Sequence, residues 1–240
     1  MITAASNSRI KRLVQLNQKS KLRRTEDVFL AEGVKMFLEA PREQLQEVYV
    51  SESFLEKCSC REHLEEVGYE VVSDSVFSKI SDTCTPQGVL CVLKQFHYNI
   101  EEMLRDKAPL FLLLENIQDP GNLGTMLRTG EGAGVSGIIM SRDTVDLYNP
   151  KVIRSTMGSI YRVPFYYADD FAAAVHQVQQ TGVSVYAAHL RGKNSYACQD
   201  YTKGTAFLIG NEGNGLREET AELADCYIRI PMEGKVESLN

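Results

Sequence analysis

Three glycine-rich stretches hold the residues best suited to chemistry. The first, Glu115–Gly130 (ENIQDPGNLGTMLRTG), follows an apolar run and carries Asn122 and Arg128. Asp119-Pro-Gly-Asn122 predicts a type II turn, with Pro120 setting φ and Gly121 supplying φ > 0. In the helix that follows, spacing puts Leu123, Met126, Leu127 and Gly130 on the buried face. Arg128 falls on a different face, aligned with Gly121, Gly124 and Gly132. A guanidinium among residues without side chains can approach a planar or anionic group closely. The bland alternative is a surface arginine with incidental glycines. The turn and the helix start both aim at this spot, which favours the functional reading.

The second stretch, Phe207–Leu216 (FLIGNEGNGL), sets Glu212 among Gly210, Gly213 and Gly215 between a strand and a helix. Backbone there can come close to a ligand. Glu212 could hydrogen-bond that ligand, orient an arginine, or simply favour the next helix N-terminus. The third, Ile228–Asn240 (IRIPMEGKVESLN), offers compact polar groups at Ser238 and Asn240 and says little alone. A literal G-x-G-x-x-G at Gly132–Gly137 is rejected as a dinucleotide fingerprint. It closes a helix and precedes a strand, the reverse of what that motif needs. A P-loop pattern is absent.

The elements that must position these residues read as two α/β series. At ~150 residues per domain, 240 residues make one large or two small domains. The first series has helices at 8–18, 33–40, 53–67 and 74–80 and strands at 28–31, 47–50, 69–72 and 88–93. Residues 98–107 are polar and read as a linker between a domain at 1–97 and one at 108–240. The second series has strands at 110–114, 137–140, 183–188, 205–209 and 227–230. Its helices fall at 122–132, 150–157, 170–180 and 216–224, with Asn149 and Asp169 as N-caps. Short apolar strands of this kind fit a mainly parallel sheet covered on both faces.

The 43% hydrophobic and 24% charged composition excludes a disordered chain. No apolar run approaches the ~20 residues of a membrane helix, and no secretory signal is legible. Cysteines at 58, 60, 84, 91, 198 and 226 make no Cys-x-x-Cys, so they read as reduced, buried thiols of a cytoplasmic protein. Cys58, Cys60 and His63 lack a fourth ligand, and no metal is expected. Charge is the one asymmetry. Residues 1–24 hold Arg9, Lys11, Arg12, Lys19, Lys21, Arg23 and Arg24 and no acid, leaving the rest at −13 against −6 overall. A basic arm on an acidic body suits the phosphates of RNA or DNA; a solvated helix face is the alternative.

Taken in order, the three stretches resemble the SpoU (TrmH-like) family of RNA ribose 2′-O-methyltransferases over about 125 residues. Residues 1–93 are similar, less specifically, to that family's small ribosomal-protein-like substrate-binding domain. The resemblance implies an α/β methyltransferase domain with a C-terminal trefoil knot, bound S-adenosyl-L-methionine and a homodimer. It implies cofactor contacts from Ala188, Gly192, Gly210, Ile230, Met232 and Leu239, with the 189–192 loop walling the adenine side. It maps Asn122, Arg128, Glu212, Ser238 and Asn240 onto the catalytic or substrate-orienting set. Family members continue past Ser-Leu-Asn with a terminal helix, which these 240 residues lack.

The chemistry implied is attack of a ribose 2′-hydroxyl on the sulfonium methyl, with a neutral leaving group and no metal. A guanidinium stays protonated near pH 7, so Arg128 is better suited to clamping the neighbouring phosphate than to acting as base. Ribosomal RNA is favoured over transfer RNA. The competing expectation is a non-catalytic RNA-binding or ribosome-assembly factor with a degenerate site.

Overall fold

The computed structural model describes residues 1–234. Contacts divide the chain into two units. One comprises Met1–Phe96 and Asp146–Tyr161; the other comprises His97–Val145 and the residues from Arg162 on.

The first unit opens with α1 (Ser8–Gln18), capped by the Asn7 side chain, and α2 (Ser20–Glu26). Then come β1 (Val28–Glu32), α3 (Val34–Leu38), β2 (Leu45–Ser51), α4 (Glu52–Lys57), α5 (Arg61–Val67), β3 (Glu70–Val72), α6 (Asp74–Ile80) and β4 (Val89–Lys94). Its sheet runs β1-β4-β2-β3, antiparallel except for the β2–β3 pair. Ile10, Leu13 and Leu16 recur at helical spacing on α1. They pack with Val76, Phe77 and Ile80 of α6 against Leu30, Leu90 and Val92 of the sheet. The single helix expected at 53–67 is two, because Cys58 leaves helical backbone and Cys-Ser-Cys is a weak helix former.

The second unit begins at His97 and so takes in the whole stretch read as a linker. There α7 (Ile100–Met103) buries Ile100 and Met103 in the unit's core. Next are β5 (Leu110–Leu114), α8 (Pro120–Ala133) and β6 (Gly137–Ser141). The following helix, α9 (Pro150–Thr156), is capped by Asn149 as expected but belongs to the first unit, where it packs on β1. The chain then returns with β7 (Phe165–Ala168), α10 (Phe171–Gln180), β8 (Ser184–Ala188), β9 (Asn194–Ser195), β10 (Thr205–Ile209), α11 (Glu218–Ala221) and β11 (Cys226–Arg229). These strands form one sheet, β7-β6-β5-β10-β8-β11-β9, in which every pair is parallel. β6 is buried along its whole length, as a strand covered on both faces must be.

Several local expectations are corrected. Asp119-Pro-Gly-Asn is no type II turn. The Asp119 carboxylate accepts the Asn122 amide at 2.7 Å and caps α8, with Pro120 in the first helical turn, where its φ is already suitable. Gly121 keeps a helical, not a left-handed, backbone. Asp170, not Asp169, caps α10, because Asp169 is drawn off to Arg142 at 2.5 Å. The helix expected at 216–224 shrinks to α11, since Asp225 accepts the Val185 amide and leads directly into β11. β7 and α2 were not anticipated. Of the six thiols only Cys91 is buried, while Cys84 and Cys198 are exposed, so "buried thiols" holds at one position. Gly134 does end α8 in the left-handed conformation, at φ 73°, which disposes of the misplaced fingerprint.

Candidate active site

Parallel strands all present their carboxyl ends at one edge of the second unit's sheet. Strand order reverses between β5 and β10: β6 and β7 lie on one side, β8 and β11 on the other. Open α/β sheets bind ligands at such a point. The loop after β5 (residues 115–119) and the loop after β10 (residues 210–217) therefore leave the sheet side by side, from the registered pair Leu114 and Ile209.

Hydrogen bonds stitch these two loops together. Glu212 accepts the backbone amides of Gln118 and Asp119, each at 3.0 Å, and the Asn122 amide nitrogen at 3.3 Å. Asn211 donates to the Asn116 carbonyl at 2.8 Å and accepts the amides of Gly213 and Asn214. Asn116 itself sits at φ 55°. Glu212 thus braces the neighbouring loop, and no hydrogen bond joins it to Arg128. Desolvation raises the Glu212 pKa, but the two backbone amides and Asn122 outweigh it and the net shift is downward. A lowered carboxylate pKa adds stability that is present above the unfolded value, about 4.3, and lost as pH falls through the folded value. The gap in unfolding temperature between wild type and Glu212→Gln is therefore expected to close as pH drops from neutral to below about 4.

Arg128 stands in the middle of α8, exposed, with no hydrogen bond or ion pair to any described residue. Asn122 lies six residues earlier, roughly 9 Å along the same helix. The structure thus joins Asn122 to Glu212 directly and leaves the Arg128 guanidinium available. Ser238, Leu239 and Asn240 lie outside the described residues.

The candidate cofactor residues fall after three adjacent strands, β10, β8 and β11. Ala188 is exposed at the end of β8, and Ile230, just past β11, is 48% exposed. Leu190 is 59% exposed, and Met232 is half-buried. Large apolar side chains left in solvent beside polar loops suit a partly apolar ligand. Gly192 fits against the backbone of Ile228, where a Cβ would come within 2.8 Å. Gly210 is more constrained. A Cβ there would lie 2.2 Å from the backbone of Gly215 and Leu216, where nothing can yield. Gly210→Ala is expected to deform the 210–216 loop and destabilise the protein by about 1–3 kcal/mol, measured by denaturant unfolding.

Sequence reasoning missed Glu115, Arg217 and Asp143. Glu115 is 1% exposed and accepts the Arg217 amide at 2.8 Å and the Thr220 hydroxyl at 2.5 Å. Arg217 reaches both Glu115 and Asp143. A carboxylate directly after the apolar run 110–114 was the available signal.

The seven basic residues of positions 1–24 separate into two groups. Arg9 pairs with Glu70 at 2.9 Å, and Arg12 with both Glu26 and Glu47 at 2.7 Å. Arg23 is 2% exposed and bonds to Asp146 at 2.5 Å and to the Leu16 carbonyl at 2.7 Å. Its charge is committed inside the unit, which removes it from the candidate RNA contacts. Lys11, Lys19, Lys21 and Arg24 are exposed and unpaired among the described residues. They lie on or beside the packed helices α1 and α2, so the segment is no loose arm.

A parallel α/β sheet with its loops gathered at the switch point, in a chain that also carries a small mixed-sheet unit, defines an α/β enzyme with a separate accessory unit. Comparison with known proteins gives the family. Residues 109–240 match the SpoU rRNA Methylase family, and residues 7–91 match the MRM3-like substrate binding domain. The chain belongs to the SpoU rRNA methylase family. It is 31% identical to the 23S rRNA (guanosine(2553)-2′-O)-methyltransferase RlmP of Bacillus subtilis, over 100% of this chain and 93% of that protein. The AdoMet-bound rRNA methyltransferase of Sinorhizobium meliloti superposes with a TM-score of 0.84 at 30% identity, covering 100% of this chain and 91% of that one. The SpoU methyltransferase AviRb of Streptomyces viridochromogenes shares the fold, with a TM-score of 0.87 at 24% identity over 98% and 92% of the two chains.

Proposed function

We propose that this protein transfers a methyl group from S-adenosyl-L-methionine to a ribose 2′-hydroxyl of ribosomal RNA. The observation that carries the reading is the stitched pair of loops at the switch point. It sets Asn122 and Glu212 together at the start of the helix that exposes Arg128. Family membership and the ribosomal RNA activity named for the Bacillus relative supply the substrate class.

The residues fit the cofactor. Ala188 ends β8, and Gly192, Gly210, Ile230 and Met232 lie on the loops after three neighbouring strands, with apolar Leu190 and Ile230 uncovered for an adenosyl group to shield. When bound, S-adenosyl-L-methionine supplies a methyl carbon activated by sulfonium charge. Arg128 clamps the phosphate next to the target ribose and so aligns the hydroxyl, an entropic contribution. A phosphate held there can accept the hydroxyl proton. Glu212 keeps the two loops in register, and Asn122 transmits that register to α8. Ser238, Leu239 and Asn240 join the site by family motif. A homodimer, a knotted C-terminal segment and a cytoplasmic location are part of the same proposal and rest on family membership.

Substrate RNA is proposed to dock on the first unit through Lys11, Lys19, Lys21 and Arg24. Each phosphate neutralised adds ~0.7–0.9 to the slope of log K against log salt. Changing all four to glutamine is expected to lower that slope by up to about 3.6; an unchanged slope would remove the helical face from the interface. The function itself is tested by offering labelled S-adenosyl-L-methionine with unmodified ribosomal RNA and, separately, unmodified transfer RNA. Label in ribosomal RNA is expected. Label in transfer RNA alone would overturn the substrate class.

A further inference from the structure

We propose that Glu115 is a positioning residue for methyl transfer, holding the β10–α11 loop in the register at which it meets cofactor and substrate. The inference rests on the proposed function and adds a residue to which no role in the site was assigned above. Glu115 follows β5 directly, and its backbone amide extends the sheet ladder to the Ile209 carbonyl at 2.9 Å. Its carboxylate is buried, with both oxygens engaged. One oxygen takes the Arg217 backbone amide, which is the N-cap position of α11. The other takes the Thr220 hydroxyl and, at 3.4 Å, the Arg217 guanidinium.

The loop between Gly210 and α11 is thereby fixed at both ends. Asn211 and Glu212 hold its start to residues 116–122, and Glu115 holds its end. Burying a carboxylate is costly, and an apolar residue of similar size often serves stability as well or better. What a buried, hydrogen-bonded acid adds is a unique geometry. Here that geometry belongs to the loop carrying Gly210 and Glu212. Arg217 extends the tie to Asp143, whose other oxygen accepts the Ser141 hydroxyl at 2.5 Å after β6. Three successive strand ends, β6, β5 and β10, are thus linked through one acid–arginine–acid chain.

The test is Glu115→Gln in the full chain. Glutamine keeps size but turns a nitrogen donor toward a site lined with donors. Hydrogen exchange of residues 116–119 and 211–217 is expected to accelerate. Calorimetric affinity for S-adenosyl-L-methionine and kcat on ribosomal RNA are each expected to fall on the order of tenfold, while KM for the RNA changes little. Val178→Ala, a core change on α10 with no part in the loops, serves as the control at matched loss of unfolding temperature. If Val178→Ala lowers cofactor affinity and kcat equally, Glu115 is merely structural and the proposal is overturned. It is also overturned if Glu115→Gln leaves exchange, affinity and kcat at wild-type values. Faster loop exchange in a protein whose wild type neither binds the cofactor nor methylates RNA would sink the proposed function instead. The positioning role would go with it, and the latch would stand as a fold feature.

Discussion

Arg128→Lys is expected to lower methyl transfer on the order of 10²–10³-fold while leaving cofactor affinity and fold stability close to wild type. The separation follows from where Arg128 sits. Its side chain is exposed on α8 and bonds to no described residue, so the fold loses nothing when it changes. Lysine matches arginine in helix propensity and charge. It does not match the planar fork that grips a phosphate at two points. The loss should therefore appear in kcat, where alignment of the hydroxyl is felt, and not in calorimetric binding of S-adenosyl-L-methionine. Wild-type turnover in Arg128→Lys would take the arginine out of the site.

Arg23→Met is expected to have the largest effect on stability, a loss of about 3 kcal/mol in denaturant unfolding. The guanidinium is buried, satisfies the Leu16 and Asn17 carbonyls between α1 and α2, and pairs with Asp146. Removing it orphans two carbonyls and leaves the Asp146 carboxylate without its cation, with the Tyr148 amide still bonded to it. Asp146 is 28% exposed, so water recovers part of its charge, which sets the figure at the lower end for a broken buried pair. The salt slope of RNA binding by the folded variant should match wild type. Unchanged stability with a reduced slope would mean that Arg23 faces RNA after all.

These two arginines show how far the sequence could be read. The place of Arg128 on an outer helix face was legible because its surroundings are local: a helix and its glycines at helical offsets, all within a few turns. Arg23 was not, because the residue that takes its charge lies 123 positions away. Composition can report seven basic residues in a row of 24, but not which of them a distant acid will claim. The same limit hid Glu115, whose partners Arg217 and Thr220 are more than a hundred residues on. The parallel sheet was readable from its short apolar strands. Its order was not, since β10 inserting between β5 and β8 is decided by packing across the whole unit. The resemblance drawn from three ordered motifs is borne out at family level by the match over 109–240. It succeeded where periodicity stopped because it compared spacing over the entire second unit rather than one window at a time. Asp119 was misread for a smaller reason. Pro-Gly fits both a type II turn and a first helical turn, and only the Asp119 bond to the Asn122 amide decides between them.

The most direct measurement of the central claim is alkaline hydrolysis of ribosomal RNA labelled by this protein with S-adenosyl-L-methionine. A methyl on the 2′-oxygen blocks backbone cleavage at that nucleotide. The account predicts label in alkali-resistant dinucleotides, present with wild type and nearly absent with Arg128→Lys. Label released in mononucleotides would mean that a base, not a ribose, is methylated, and would contradict it.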